Sequence, residues 1–186
     1  MPPVPADPRP PVTVIFWHVG GAVFLARWVF RDPAMDMRVL VFGAVLPDLI
    51  DKPIGSVLFT GYYGTGRIYA HTLLFAAVML ALVMAATRRG SAARKRWMAL
   101  PIGVLFHLLL DMPIDAETLW WPALGLEFPS FAEGQLADLI VYLLKSPVVV
   151  IQELLGLGYL IALYRKTELA EPTNRKELVE TGRLSQ

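Results

Sequence analysis

The chain has no cysteine. That excludes disulfides, thiolate metal sites and a cysteine nucleophile, and it leaves the redox compartment unreadable. Charge is scarce as well: Asp, Glu, Lys and Arg make up 18% of 186 residues, against ~25% in soluble domains. The two signs nearly cancel, 17 basic against 16 acidic residues for a net charge of +1, so the sum gives no reason to expect a nucleic-acid partner. No internal repeat of solenoid or propeller length is visible. Histidine occurs only three times. What the chain has in quantity is apolar surface: 55% hydrophobic residues and a mean hydropathy of +0.51. Such a composition excludes a disordered chain and an ordinary water-soluble globule, and it points to a membrane.

The apolar residues fall into runs. Residues 1–11 hold six prolines and read as an extended, unpacked tail. Residues 12–30 are apolar, with no convincing small-residue cleavage site after them, so they read as an uncleaved helix. Residues 38–50 form a run of about 13, which at ~1.5 Å per residue is too short to cross a ~30 Å hydrocarbon core. This segment is expected to be a short or re-entrant helix that stops before Asp51, and residues 51–66 read as a Gly- and Tyr-rich loop. Residues 67–86 make the cleanest span. A basic turn at 88–96 precedes another apolar helix at 97–110. Residues 112–135 read as a Pro- and Trp-rich connection. The last apolar stretch, 136–164, carries Lys145, Pro147 and Glu153 and is expected to kink near Pro147. The chain thus divides into a tail (1–11), a transmembrane helical domain (12–164) and a polar, fraying C-terminal tail (165–186). The expected fold is an all-α polytopic bundle of about five helices.

The basic residues supply an orientation. With five crossing or nearly crossing segments, Arg27, Arg31, Arg38, the five of the 88–96 turn, Arg165, Lys166, Arg175, Lys176 and Arg183 share one face, 13 of 17. Arg9, Lys52, Arg67 and Lys145 fall on the other. The positive-inside rule makes the first face cytoplasmic, with the N-terminus outside and the C-terminus inside the plasma membrane. Trp28, Trp97, Trp120 and Trp121 then lie near the interfaces.

Ionisable residues within apolar spans are costly and mark candidate sites. In this topology His18, Asp48, Asp51, His71, His107 and Asp111 come from four segments and fall in one layer of the outer leaflet. His107 and Asp111 are four apart and share a helix face. Asp48 and Asp51 are three apart and can converge on one ion. Imidazole and carboxylate are ligands for zinc, manganese and iron, and a bound cation offsets the burial of carboxylates. The six residues are therefore candidate ligands of a divalent metal, zinc first and manganese or another ion after it. Taken singly, each has a plain structural alternative. His18 can be a buried histidine bonded to a neighbouring helix. Asp48 and Asp51 can stop a helix at the interface. Arg67 with His71 can be an interfacial anchor, and His107 with Asp111 a self-satisfying pair. Gly61–Gly66 reads as a flexible turn.

Leu46-Pro47-Asp48-Leu49-Ile50-Asp51-Lys52-Pro53, then Gly66-Arg67-Ile68-Tyr69-Ala70-His71-Thr72-Leu73, then His107 and Asp111, then Trp121-Pro122, resembles the family of membrane-bound metal-dependent hydrolases. The early His18 fits the first histidine of that pattern, and the resemblance spans roughly residues 18 to 122. It implies a multi-helix inner-membrane protein with a divalent metal site and hydrolase activity. Carried over, it makes His18, Asp48, Asp51, His71, His107 and Asp111 metal ligands and Arg67 an anion binder. Many members have a histidine directly before the arginine and Thr-His-Ser after it, where this chain has Gly66, Ala70 and Thr72. Many also have the two aspartates two apart rather than three. The expected activity is attack of metal-activated water on an ester or phosphoester, with Asp48 or Asp51 as ligand or base and Arg67, with Lys52, holding an anionic group. The expected partners are membrane lipids and an anionic or lipid-linked substrate. The rival expectation is a transporter-like or scaffold protein with a buried ion or proton site.

Overall fold

The computed structural model describes residues 15–32, 34–112, 116–128 and 146–184. The Pro-rich segment 1–11, the stretch 136–145 with Lys145, and residues 113–115 and 129–135 of the connection 112–135 lie outside these residues. All regular structure among the described residues is helical.

Helix α1, Ile15–Leu25, ends in a π-helical turn, Ala26–Phe30. Its first N–H groups have no partner within the helix. The Glu153 carboxylate accepts from Phe16 N at 3.2 Å and Trp17 N at 3.4 Å. Glu153 belongs to α8, Pro147–Lys166, and the two helices meet at Gly20 and Gly156. A Cβ on Gly156 would lie 2.1 Å from the Phe16 carbonyl oxygen, so only glycine allows this approach.

Helix α2, Met37–Asp51, starts at Asp36, whose carboxylate accepts from Arg38 N and Val39 N. Here the structure departs from the expected short helix and loop. The chain runs straight on through π-helical turns at Lys52–Leu58, and Thr60–Tyr63 forms a further turn, α3. Pro53 has no N–H to give to the ladder, and the wider turn carries the helix past it.

The apolar run beginning at residue 67 is also helical later than expected. After a 3₁₀ turn at Tyr69–His71, α4 spans Leu73–Ala86, with Thr72 Oγ accepting from Phe75 N at 3.0 Å. The expected basic turn is partly helical: α5, Ala92–Trp97, is capped by Ser91. Helix α6 spans Ala99–Asp111, and α7 is the single turn Ala116–Leu119. Of the stretch expected to kink near Pro147, residues 136–145 lie outside the described residues; Pro147 stands at the start of α8, where its missing N–H is harmless. The polar tail contains α9, Pro172–Thr181. It is held where the Gly182 carbonyl accepts from Met37 N at 2.8 Å and where Arg38 donates to the Val179 carbonyl.

The most extensive helix pairing among the described residues joins α2 and α6. A Cβ on Gly103 would lie 2.2 Å from the Leu40 carbonyl oxygen, and one on Gly43 would lie 2.3 Å from the Leu100 carbonyl oxygen. Around this crossing Ala22, Ala26, Leu40, Ala44, Ala99 and Phe106 are buried together. The outer faces are apolar rather than polar. Phe42, Leu49, Leu82, Ile151 and Leu154 are all about half exposed or more, as a lipid-facing surface requires. Among the described residues α8 alone is both long and apolar enough to cross a membrane by length and composition. Ile15–Phe30 and Leu73–Ala86 are apolar but shorter.

Candidate metal centre

The glycine crossing brings α6 close enough for His107 to reach the backbone of α2. Its Nδ1 lies 2.7 Å from the Ala44 carbonyl oxygen. His71 Nδ1 lies 2.7 Å from Asp51 Oδ2. A carbonyl and a carboxylate only accept, so each Nδ1 carries the proton and each Nε2 presents a lone pair. Those two Nε2 atoms are 3.2 Å apart. Asp48 Oδ1 lies 3.3 Å from His71 Nε2 and 4.0 Å from His107 Nε2. Asp111 Oδ2 lies 3.9 Å and 3.7 Å from the same two atoms. Electron-rich atoms from α2, the 3₁₀ turn and α6 thus face one another.

Asp51, fully buried, holds the turn that carries His71. Its carboxylate accepts from Ile68 N at 2.9 Å, Ala70 N at 2.9 Å and His71 N at 3.1 Å. Both of its oxygens are thereby occupied by backbone and by His71. It fixes the tautomer and aim of His71, as carboxylates behind metal-bound histidines do. The start of α4 is delayed to residue 73 because Asp51 gathers these N–H groups before the helix begins.

His18 Nε2 lies 3.0 Å from Asp111 Oδ1, and its ring stacks on His107 with centroids 4.0 Å apart. Arg67 is 3% exposed and sets Nη2 3.0 Å from Asp111 Oδ2. Lys52 Nζ is 2.5 Å from Asp48 Oδ2. All six predicted ligands and both predicted anion binders therefore lie in one connected cluster. Two groups within it have ligand atoms all within 4.8 Å of one another: His18, Asp48 and His107, and His71, His107 and Asp111.

The donor set fits a small cation. With the histidines neutral, the three carboxylates of Asp48, Asp51 and Asp111 are opposed by Lys52 and Arg67, which leaves the cluster one net negative charge. Asp111 Oδ2 is buried and makes no hydrogen bond of ordinary geometry. It borders a void of about 10 Å³ shared with Arg67, His71, Leu108 and Leu119, room for about one water or ion. Ligands at ~2.0–2.1 Å from a tetrahedral ion stand about 3.3–3.4 Å apart, near the shorter of the separations above. A proton on His71 Nε2 would satisfy Asp48 at 3.3 Å but would not reach Asp111 Oδ2, 3.9 Å away, which would keep Arg67 as its partner.

Sequence reasoning did not anticipate the Ala44 carbonyl, the Gly43–Gly103 contact that exposes it, or the part taken by Asp51. Small residues at helix crossings of apolar chains were the available signal. No curated protein and no solved structure matches the chain. The family model for YdjM inner membrane proteins matches residues 14–171, which include every member of the cluster, and the chain is an inner-membrane protein of that family.

Proposed function

We propose that this protein is a multi-pass inner-membrane hydrolase working with one divalent ion, zinc first and manganese second, at His71, His107, Asp48 and Asp111. The observation that carries the reading is the pair of imidazole Nε2 atoms 3.2 Å apart, each with its other nitrogen committed to an acceptor. Such a pair is repulsive unless a cation or proton lies between the rings, and Asp111 Oδ2, which meets Arg67 as an ion pair but accepts no hydrogen bond of ordinary geometry, has a lone pair left for the cation. A bound ion of this kind supplies hydroxide near neutral pH. The chain's own residues do the rest. Asp51 keeps His71 in the ligand tautomer, and His18 holds Asp111. Asp48, with Lys52 on its second oxygen, takes the proton of the attacking water. Arg67 and Lys52 hold the anionic oxygen of an ester or phosphoester. The depth of the cluster in an apolar bundle suits a lipid-linked substrate. In this reading the N-terminus is outside, the C-terminus is cytoplasmic, and the cluster opens toward the outer face.

Metal analysis of detergent-purified protein tests the reading. One ion per chain is expected, with loss in His71→Ala and Asp111→Ala. No stoichiometric metal, or metal that survives both substitutions, rejects it. A second reading, a proton-carrying site in a transporter-like or scaffold protein, draws on the 3.3 Å approach of His71 to Asp48; metal-free protein that takes up protons through His71 favours it. Orientation is tested by single cysteines in this cysteine-free chain. Gly61→Cys, where a Cβ meets nothing within 4 Å, is expected to label from outside, and Arg89→Cys from inside. The reverse pattern inverts the topology.

A further inference from the structure

Beside the 3₁₀ turn that carries His71, a second pocket of about 300 Å³ is lined by Tyr62, Tyr63, Tyr69, Leu126, Glu127 and Phe128. Its walls are aromatic faces set at steep angles. Tyr63 and Tyr69 meet at 85° with centroids 6.0 Å apart, and Tyr69 and Phe128 meet at 87° and 5.0 Å. Tyr63 and Phe128 meet at 61° and 6.1 Å. Trp121 stacks behind Phe128 at 5.3 Å and braces it. The phenol oxygens of Tyr63 and Tyr69 are 3.2 Å apart, which pins both rings before any ligand arrives. That hydrogen bond, with burial and the neighbouring phenol, pushes the Tyr63 hydroxyl up to about 12, so the walls are uncharged at physiological pH. Among the described residues that line it, Glu127 is the one that carries a formal charge.

Packing alone does not account for the arrangement. Tyr62 is 82% exposed and Leu126 78%, and the rings leave a concavity rather than filling it. Aromatic faces at steep angles attract cations through their quadrupoles, and quaternary ammonium groups, weakly hydrated and bulky, gain most from such a cage. A carboxylate at the edge adds Coulombic attraction without filling the space. We propose that this aromatic box binds an alkylammonium group of the choline or ethanolamine type. The proposal does not depend on a metal at the neighbouring cluster. A metal cation is a poor occupant, since Glu127 is the only acidic residue among the described residues of the lining.

Isothermal titration of the full-length, detergent-purified protein with tetramethylammonium chloride, against sodium chloride at matched ionic strength, tests the box. Saturable binding of tetramethylammonium is expected, absent with sodium. Glu127→Gln, at an exposed position, and Tyr69→Leu are each expected to weaken it about 3- to 30-fold, with Tyr63→Phe, which keeps the ring but frees it from Tyr69, weakening it less. No saturable binding, or equal binding in Glu127→Gln and Tyr69→Leu, overturns the proposal. If the rings serve only to anchor the protein at the bilayer surface, tetramethylammonium does not bind, and that too overturns it. Two further arms separate the sources of the ligand. Magnetisation transfer from the choline methyls of phosphatidylcholine nanodiscs to the Tyr69 ring supports a lipid head group. Binding of soluble phosphocholine without that transfer supports a free molecule. His71→Ala is expected to leave tetramethylammonium binding intact, so the box and the metal reading stand or fall separately.

Discussion

Asp51→Asn separates two jobs that one carboxylate performs. In the parent, Oδ2 accepts from Ile68 N, Ala70 N, His71 N and His71 Nδ1, while Oδ1 shares Ala70 N at 3.0 Å. The asparagine carbonyl fits the Oδ2 position, where four donors converge, and its amide then faces Ala70 N. No backbone N–H is orphaned, because Ala70 N still reaches the carbonyl. What is lost is charge: hydrogen bonds to ionised groups contribute about 1.5–3 kcal/mol and neutral ones about 0.5–1.5. Over four buried bonds, allowing for non-additivity, the expected loss is about 2–4 kcal/mol. His71 keeps its tautomer but becomes a weaker base, and loss of such a supporting carboxylate lowers metal affinity about 10- to 100-fold. Urea unfolding in detergent reads the first effect and competition with a chelating dye reads the second. Asp51→Ala, which strands three buried N–H groups, is expected to be worse on both. Stability within about 0.5 kcal/mol of the parent would refute the stapling role. A destabilised Asp51→Asn with unchanged metal affinity would refute its coupling to the site.

Gly103→Ala drives a Cβ to 2.2 Å from the Leu40 carbonyl oxygen. It is expected to cost about 1–3 kcal/mol in thermal unfolding and to stretch the His107–Ala44 bond, and a parent-like melt contradicts the close crossing. Arg67→Met and Asp111→Asn each strand a buried charge and are expected to cost about 3–5 kcal/mol. The double variant is expected to lose clearly less than the sum, and strict additivity refutes the pair. Asp36 titrates below its usual 3.8: burial opposes its charge, but the hydrogen bond from Arg38 and the Val39 N–H outweigh that. Its stabilisation is therefore complete above the unfolded-state value and is lost as pH falls through the lower folded-state value. Fluorescence-monitored acid unfolding is expected to lose this component in Asp36→Asn, and an unchanged acid profile counts against it.

Much of the cluster was legible because rare residues stand out in an apolar chain. His107 and Asp111 share a helix face by spacing, and they do face one point. His18, His71 and Asp48 reach it from three other segments, as charge-based topology expects. Backbone detail was not legible. Pro53 reads as a stop, yet a π-helical turn absorbs it. The apolar run from residue 67 reads as helix from its start, yet Asp51, 16 positions earlier than Arg67, diverts its first N–H groups. That capture depends on tertiary contact, which periodicity does not report. The same holds for Glu153, whose partners Phe16 and Trp17 lie 137 and 136 positions away in the sequence.

The contact between Met37 and Gly182 has a consequence in time. The carbonyl that takes the first N–H of helix α2 is made 145 residues after it. Closing so long a loop adds little entropy beyond that of a shorter one, since the cost grows only logarithmically. Until Gly182 is made, the head of α2 must stay capped by Asp36 and by water or lipid head groups. Helix α9 then arrives as a latch on a helix already in place. Variants in residues 178–182 are thus expected to leave insertion intact and to slow only the docking of α9.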